Sequence, residues 1–323
     1  PNLVRNFYAT REANIRKVCD LNPQRLELVK DAYPSVGITQ DYRELVKDPK
    51  IDALVISTPV SSHFSLAKEA LENGKHVLLE KPMTATVKEA EELVNLAQRK
   101  QKILMVDHTF IYTGAVRKIK EIIKKGELGE IYYFDSVRVN LGLFQHDINV
   151  LWDLAPHDLS IMDYLLDKEP IFVSAIGASH SESKFEDIAY LTVEYPNNLL
   201  AHISVSWIAP AKIRMTLIGG SKKMIVYNDV EPSEKVKVYD KGVGITVDNS
   251  EERYKIQVDY RIGDMYAPKL EQSEALKTEC NHFLDCIQNN TPPLTDGKAG
   301  LRVVKILESA QHSLSNNSRK ESF

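Results

Sequence analysis

Several features that would place a chain in a broad class are missing from these 323 residues. There is no run of 18 apolar residues, no signal-peptide pattern and no internal repeat, so nothing predicts a membrane span or secretion, and we expect a cytoplasmic protein. The net charge is −4, with acidic and basic residues interspersed. The sequence therefore offers no basic patch of the kind that binds nucleic acid.

Cysteine is also scarce. Only Cys19, Cys280 and Cys286 occur, an odd number without metal-site spacing. Cys280 and Cys286 flank His282, but two thiols and one imidazole fall short of the four ligands of a structural zinc ion. We predict three reduced cysteines and no bound metal.

The first third of the chain alternates short apolar runs with amphipathic segments. Runs at Ile51–Thr58 and His76–Glu80 enclose a stretch of helical spacing at residues 61–73. This pattern predicts a β-α-β unit with a right-handed crossover. A helix at Thr86–Lys100 and a strand at Ile103–Val106 repeat it.

The same alternation extends upstream, with a strand at Ile15–Cys19 and a helix at Asn22–Ala32. The expected N-caps are Asn22, Thr86 and one of Ser61 and Ser62. Strands that alternate with helices indicate an α/β fold, a Rossmann-type doubly wound parallel sheet. We assign residues 1–110 to this dinucleotide-binding domain.

The composition changes after Val106, and residues 111–323 form the second predicted domain. A helix at Thr113–Lys125 precedes segments rich in β-branched and aromatic residues, which predict a large, mostly antiparallel sheet in an α+β domain. We expect this domain to bind the substrate and to form a homodimer or homotetramer through its sheet. The predicted strands are Ile131–Leu141, Ile171–Ala178, Ile188–Tyr195, Leu199–Trp207, Lys212–Gly219 and Lys223–Asn228, and the closing helices are Glu271–Asn289 and Gly297–Ser315.

Asp20 ends the strand Ile15–Cys19, where dinucleotide folds place a carboxylate against the ribose hydroxyls of the adenosine. A 2′-phosphate would be repelled there, so Asp20 favours NAD over NADP. The alternative is that Asp20 only opens the turn Asp-Leu-Asn-Pro.

The glycine-rich turn that should precede Asp20 is absent, since no Gly-x-Gly-x-x-Gly motif occurs. Pro1–Thr10 reads as the helix that follows such a turn. We therefore expect the fold to need roughly a dozen further residues ahead of Pro1, and cofactor binding by the chain as given depends on them.

The run Val77-Leu78-Leu79 ends abruptly in Glu80-Lys81-Pro82. Open α/β sheets bind ligands at the carboxyl ends of their strands, so these polar groups are candidate site residues. The alternative is a solvated ion pair at a strand end.

A second candidate is the pair Asp153 and His157, four residues apart at a helix start. A carboxylate that holds an imidazole fixes its tautomer and tunes its basicity. Asp153 could instead be a helix cap, and Asp158 could pair with His157.

Taken together, Glu80-Lys81-Pro82, Ser57-Thr58-Pro59 with His63, and Asp153 with His157 resemble the Gfo/Idh/MocA oxidoreductases over essentially the whole chain. Members of that family oxidise a sugar or polyol carbinol, or reduce the ketone, with NAD(P). The resemblance implies that Lys81 and His157 are catalytic, that Asp153 assists, and that the Lys81–Pro82 bond is cis.

The remaining candidates follow from their places in the chain: at or after the ends of predicted strands, or near Asp153 in sequence. The predicted cofactor-binding residues are Asp20, Ser57, Thr58, Pro59, His63, Glu80, Lys81 and His108. The predicted substrate-binding residues are Arg138, Asn140, Asn149 and Tyr112, with Trp152 as a further floor of the sugar site; core packing is the alternative for Tyr112 and Trp152, and a solvated strand residue for Arg138.

Hydride leaves a carbinol carbon only if the hydroxyl proton is also removed. A neutral His157 can take that proton while the ammonium of Lys81 stabilises the alkoxide, or Lys81 itself can be the base. The redox chemistry belongs to NAD, so no metal is required.

The stretches Val137–His157 and Gly263–Pro268 resemble the family branch of UDP-N-acetylglucosaminuronate 3-dehydrogenases, which predicts a nucleotide-sugar substrate. The alternatives are an inositol or free aldose dehydrogenase and, in another class, a non-catalytic NAD- and sugar-sensing regulatory protein.

Overall fold

The computed structural model describes residues 1–142, 144–145, 147–181, 185–247 and 256–323. For residues 243–247 and 256–260 it describes the backbone alone. Two compact units divide the chain. The first comprises residues 1–113 and 273–305, and the second comprises residues 114–272 and 306–323. The expected domains were continuous, 1–110 and 111–323. The difference arises because residues 273–305 return to the first unit, which sequence order alone does not reveal.

The first unit has the alternation that the sequence predicts. Its strands form two parallel sheets, β1 with β2, and β3 with β4 and β5. Its helices up to residue 100 connect them, and a 3-10 helix, Thr109–Tyr112, follows β5. The elements are α1 Asn2–Tyr8, β1 Lys17–Cys19, α2 Pro23–Ala32, β2 Gly37–Thr39, α3 Arg43–Lys47, β3 Ala53–Ile56, α4 Val60–Glu72, β4 His76–Glu80, α5 Val87–Lys100 and β5 Leu104–Asp107.

Two of the three expected N-caps are confirmed. The side chain of Asn22 accepts from the Gln24 N–H at 2.9 Å, and that of Thr86 accepts from the Glu89 N–H at 3.3 Å. The third was wrong, because α4 begins at Val60 with Pro59 at the cap position. Proline, with its fixed φ, is well suited to a helix start and needs no N–H there.

The second unit is built on a mixed sheet. Its nine strands run in the order β15-β12-β11-β10-β6-β9-β8-β7-β16, and all neighbours are antiparallel except β6 and β9, which are parallel. The elements are α6 Gly114–Lys124, β6 Ile131–Leu141, α7 Val150–Leu166, β7 Phe172–Ala178, β8 Ile188–Glu194, β9 Leu200–Ser206, β10 Ile208–Gly220, β11 Met224–Asn228, β12 Val236–Tyr239, β13 Gly242–Val247, β14 Ile256–Arg261, β15 Met265–Tyr266 and β16 Glu321–Ser322. β13 and β14 form a separate antiparallel pair.

Helix α7 covers one face of this sheet. It contacts β6, β8 and β9, and alternate strand residues such as Leu191, Ile203 and Val205 are buried there. The last two helices are α8, Ala275–Asn289, in the first unit, and α9, Gly297–Ser315, whose residues divide between the units. None of the helices that the structure describes is long and apolar enough to cross a membrane.

Candidate active site

The carboxyl ends of β3, β4 and β5 carry the candidate residues of the first unit. Strands β4 and β5 pair in register so that Glu80 lies opposite Asp107. Lys81 follows Glu80 and is half-buried, and the Lys81–Pro82 bond is cis, as expected. Ser57, Thr58 and Pro59 follow β3 and are exposed.

His108, directly after β5, is the least expected feature of this edge. It is only 1 % exposed, and neither ring nitrogen has a hydrogen-bond partner among the described residues. Burial, with a smaller contribution from the Lys81 charge, lowers the pKa of His108 to about 3. The neutral ring therefore keeps one donor and one acceptor available at the ligand-binding edge of the sheet, which fits a bound dinucleotide.

Glu80 also has an altered acidity. Burial raises its pKa to about 7, the Asp107 charge adds to the rise, and the Lys81 ammonium opposes it. Near neutral pH, the group beside Lys81 thus changes charge.

His63 lies between the loops that follow β3 and β4. Its ring nitrogens lie 2.8 Å from the Thr58 carbonyl oxygen and 2.9 Å from the Pro82 carbonyl oxygen, and it is 1 % exposed. Burial lowers the pKa of His63, so the ring is neutral and donates one N–H. These contacts place His63 against the loops after β3 and β4, and a cofactor contact by His63 stays a prediction.

Asp20 lies at the end of β1. Its Oδ1 accepts from the Asn22 N–H at 2.8 Å, so the turn that the sequence left open as an alternative does form. Its Oδ2 lies 3.6 Å from Nη1 of Arg25, which is 72 % exposed. Oδ2 of Asp20 therefore has only the solvent-exposed guanidinium of Arg25 as a partner among the described residues.

Tyr112, expected to contact substrate, is a core residue. It is 2 % exposed, and its hydroxyl lies 3.1 Å from the Thr295 hydroxyl. The burial agrees with the alternative of core packing, and a substrate contact by Tyr112 stays a prediction.

In the second unit, Asp153 and His157 lie one turn apart on α7 and are both half-buried. Asp153 Oδ2 accepts from the Trp207 indole N–H at 3.0 Å. Asp158, the other carboxylate near His157 in sequence, faces β6 instead, where both of its oxygens accept hydrogen bonds.

Arg138 is the partner of Asp158. It is 3 % exposed, with Nε 2.5 Å and Nη2 3.1 Å from the carboxylate, so it is not the solvated strand residue that was the alternative. Asp158 also accepts from the Ser136 hydroxyl at 2.8 Å. The ion pair accounts for the burial of Arg138, and a substrate contact by Arg138, or by the half-buried Asn140, stays a prediction.

Asn149, expected to bind substrate, has hydrogen-bond partners within its own unit. Its Oδ1 caps α7 by accepting from the Trp152 N–H at 3.1 Å, and its amide donates to Glu186 at 2.8 Å and to Gln311 at 2.9 Å. Trp152 is likewise buried, with its indole N–H 3.2 Å from Gln311. A substrate contact by either residue stays a prediction. Leu143 and His146, in the same stretch, lie outside the described residues.

Sequence reasoning missed Asp107 and Glu279, two buried acids of the first unit. A signal for Glu279 existed, because it precedes Phe283 by four residues and Cys286 by seven, on the face that helical spacing predicts to be buried. Among the described residues, no group of three or more His, Cys, Asp or Glu side chains could hold a metal ion.

Two family models match this chain. Residues 1–108 match the model of the Gfo/Idh/MocA oxidoreductases described as an oxidoreductase family, NAD-binding Rossmann fold, and residues 120–320 match that of the family's C-terminal alpha/beta domain. Together they cover most of the chain.

Two individual relatives each share less than a third of their residues with this chain over the matched stretches. An uncharacterised oxidoreductase of Escherichia coli, YdgJ, is 29 % identical over 64 % of this chain and 62 % of its own length. UDP-N-acetylglucosamine 3-dehydrogenase of Acidithiobacillus ferrooxidans is 29 % identical over 92 % of this chain and 90 % of its own length. The solved structure of levoglucosan dehydrogenase with NADH and levoglucosan shares the fold, with a TM-score of 0.82, 20 % identity, and coverage of 99 % of this chain and 93 % of that one.

Proposed function

Because this chain belongs to the Gfo/Idh/MocA oxidoreductase family and carries its NAD-binding Rossmann domain, we propose that it oxidises a carbinol carbon of a nucleotide-linked sugar, or reduces the ketone. The observation that carries this proposal is the carboxyl edge of β3–β5, where Lys81 stands beside a fully buried His108 whose ring nitrogens have no described partner. Such an edge is where α/β sheets bind dinucleotides.

NAD, when bound, exchanges the hydride. Lys81 has the charge to stabilise an alkoxide, and His157 on α7 has the residue type to take the hydroxyl proton, with Asp153 one turn before it. The reverse assignment, with Lys81 as the base, is also chemically sound.

We assign His108 and Glu80 supporting roles, in which neither takes the hydroxyl proton nor stabilises the alkoxide. The neutral ring of His108 can hydrogen-bond a bound group through either nitrogen. Glu80, with its pKa raised to about 7 by burial and Asp107, adjusts the charge beside Lys81 near neutral pH.

The preference for a nucleotide sugar rests on the long match to UDP-N-acetylglucosamine 3-dehydrogenase. We test it by following NADH formation with UDP-sugars, inositols and free aldoses offered separately. Turnover of at least one UDP-sugar is expected. Turnover of inositol or a free aldose alone would contradict the preference, and tight NADH binding without any turnover would favour a sensor.

We also propose that Asp20 selects NAD over NADP, because its Oδ2 is not used by the turn. Asp20→Ala should weaken NAD binding and narrow the gap between the two cofactors, as measured by fluorescence titration with NADH and NADPH. Asp31→Ala, at an exposed position of α2, is the matched control. An unchanged NADH-to-NADPH affinity ratio in Asp20→Ala would rule out this role.

A further inference from the structure

Glu279 is a buried acid that the proposed chemistry does not use. It lies on α8 with a side chain that is 0 % exposed, and no donor among the described residues forms a hydrogen bond to either of its carboxyl oxygens. A carboxylate in such a place loses its hydration without compensation. Burial, followed by the charge of Asp107, accordingly raises the pKa of Glu279 well above its usual range.

The neighbour of Glu279 is Asp107, at the end of β5. Asp107 is 5 % exposed, accepts from the Thr109 hydroxyl, and lies opposite Glu80 in the β4–β5 pair. Two carboxylates cannot hydrogen-bond each other, but a protonated Glu279 has an O–H to donate to Asp107. The Thr109 hydroxyl lies close to Glu279 as well, but its proton is donated to Asp107.

The groups that face Glu279 from the surrounding elements are acids or neutral side chains. They are Asp107 on β5, Thr109 and Tyr112 on the 3-10 helix, Glu80 on β4, and Cys280 on α8 itself. These neighbours give a Glu279 carboxylate no compensating positive charge.

We propose that Glu279 is a positioning residue for the Lys81 site: it remains a neutral carboxylic acid, donates a hydrogen bond to Asp107, and leaves one negative charge rather than two next to Glu80. This inference rests on the proposed role of Lys81. Its consequence concerns Glu80, because a single charge on Asp107 allows Glu80 to titrate with a pKa of about 7. A second charge on Glu279 would hold Glu80 protonated to higher pH, since like charges disfavour ionisation.

The protonation of Glu279 is tested by the pH dependence of stability in Glu279→Gln, whose amide keeps a donor for Asp107 but cannot ionise. The unfolded wild type releases the Glu279 proton above about pH 4.3, whereas the folded protein retains it, so Glu279 gives the wild type a loss of stability with rising pH that Glu279→Gln lacks. The ratio of unfolding constants, wild type over Glu279→Gln, should rise with pH above about 5, with a limiting slope of about tenfold per pH unit for one proton.

Glu91→Gln, at an exposed position of α5, controls for the loss of one carboxylate. A wild-type to Glu279→Gln ratio that stays constant with pH would overturn the inference. Neither measurement needs a substrate, so its failure is distinguishable from failure of the proposed function.

The effect on Glu80 is tested by carboxyl carbon NMR with labelled glutamate, with the Glu80 signal assigned from Glu80→Gln. The wild-type midpoint is expected at about 7. Asp107→Asn should move the Glu80 midpoint to lower pH, and Glu279→Gln should leave it in place. A midpoint unchanged in Asp107→Asn, or moved in Glu279→Gln to the same extent, would show that the pair does not set the charge of Glu80.

Discussion

At the scale of single residues, His108 gives the sharpest pH dependence. Its folded pKa of about 3 lies below the ordinary value near 6.5, so the unfolded chain binds a proton between these values and the folded protein does not. Stability from His108 is therefore complete above pH 6.5 and is lost as the pH falls. The loss should be about 1.4 kcal/mol per pH unit.

The measurement is urea unfolding of the wild type and His108→Asn between pH 7 and 5. The wild type should lose more stability than the variant as the pH falls. Equal pH slopes, or an imidazole NMR signal of His108 that titrates near 6.5, would disprove the neutral buried state.

Residue types alone could not distinguish side chains that bind cofactor or substrate from side chains that stabilise the fold. Asn149 and His63 have the side chains of a binding site, yet the structure uses their nitrogens and oxygens on backbone and side-chain partners of their own unit. Arg138 was open between a solvated position and a substrate contact, and its buried ion pair with Asp158 rules out the solvated position. Hydrogen-bond partners from distant parts of the chain decide these roles, and sequence spacing does not contain them.

At the scale of elements, helix caps are the testable feature. Asn149→Ala removes the acceptor for the Trp152 N–H and the donors to Glu186 and Gln311, so it should lower the free energy of unfolding by about 1–2 kcal/mol. Thr86→Ala, which loses one capping bond on α5, should cost about 1 kcal/mol. Urea denaturation measures both. If Asn149→Ala were as stable as the wild type, the capping role would be wrong.

Elements set by local sequence were predicted well. The bounds Ile131–Leu141 and Gly297–Ser315 match the structure, and the β-α-β pattern through β3, β4 and β5 is confirmed. What the sequence did not predict depends on distant contacts. The parallel pairing of β6 with β9 joins strands about 70 residues apart, and no local pattern encodes such a pairing.

At the scale of the whole molecule, the sheet face away from α7 carries exposed apolar side chains. Ile176 and Tyr190 form one cross-strand pair, 59 % and 42 % exposed, and Tyr133 and Leu200 form another, 38 % and 50 % exposed. An apolar face of this kind is typical of association surfaces. The dimer or tetramer expected from the sequence therefore remains a proposal with a defined surface.

The double variant Ile176→Lys, Leu200→Lys tests that proposal. Light scattering after size exclusion should give a dimer or tetramer for the wild type and a smaller species for the variant. A wild type that is monomeric at high concentration would refute the proposal, and a variant with unchanged mass would refute this surface.

The central claim is that this family member is a dehydrogenase whose chemistry depends on Lys81. The direct measurement is the turnover of Lys81→Ala on the best sugar substrate, beside its NADH affinity, with Lys88→Ala at an exposed position as control. We expect kcat to fall by roughly 10²–10⁴-fold in Lys81→Ala while NADH binding persists and Lys88→Ala behaves as the wild type. Near-normal turnover by Lys81→Ala would contradict the account.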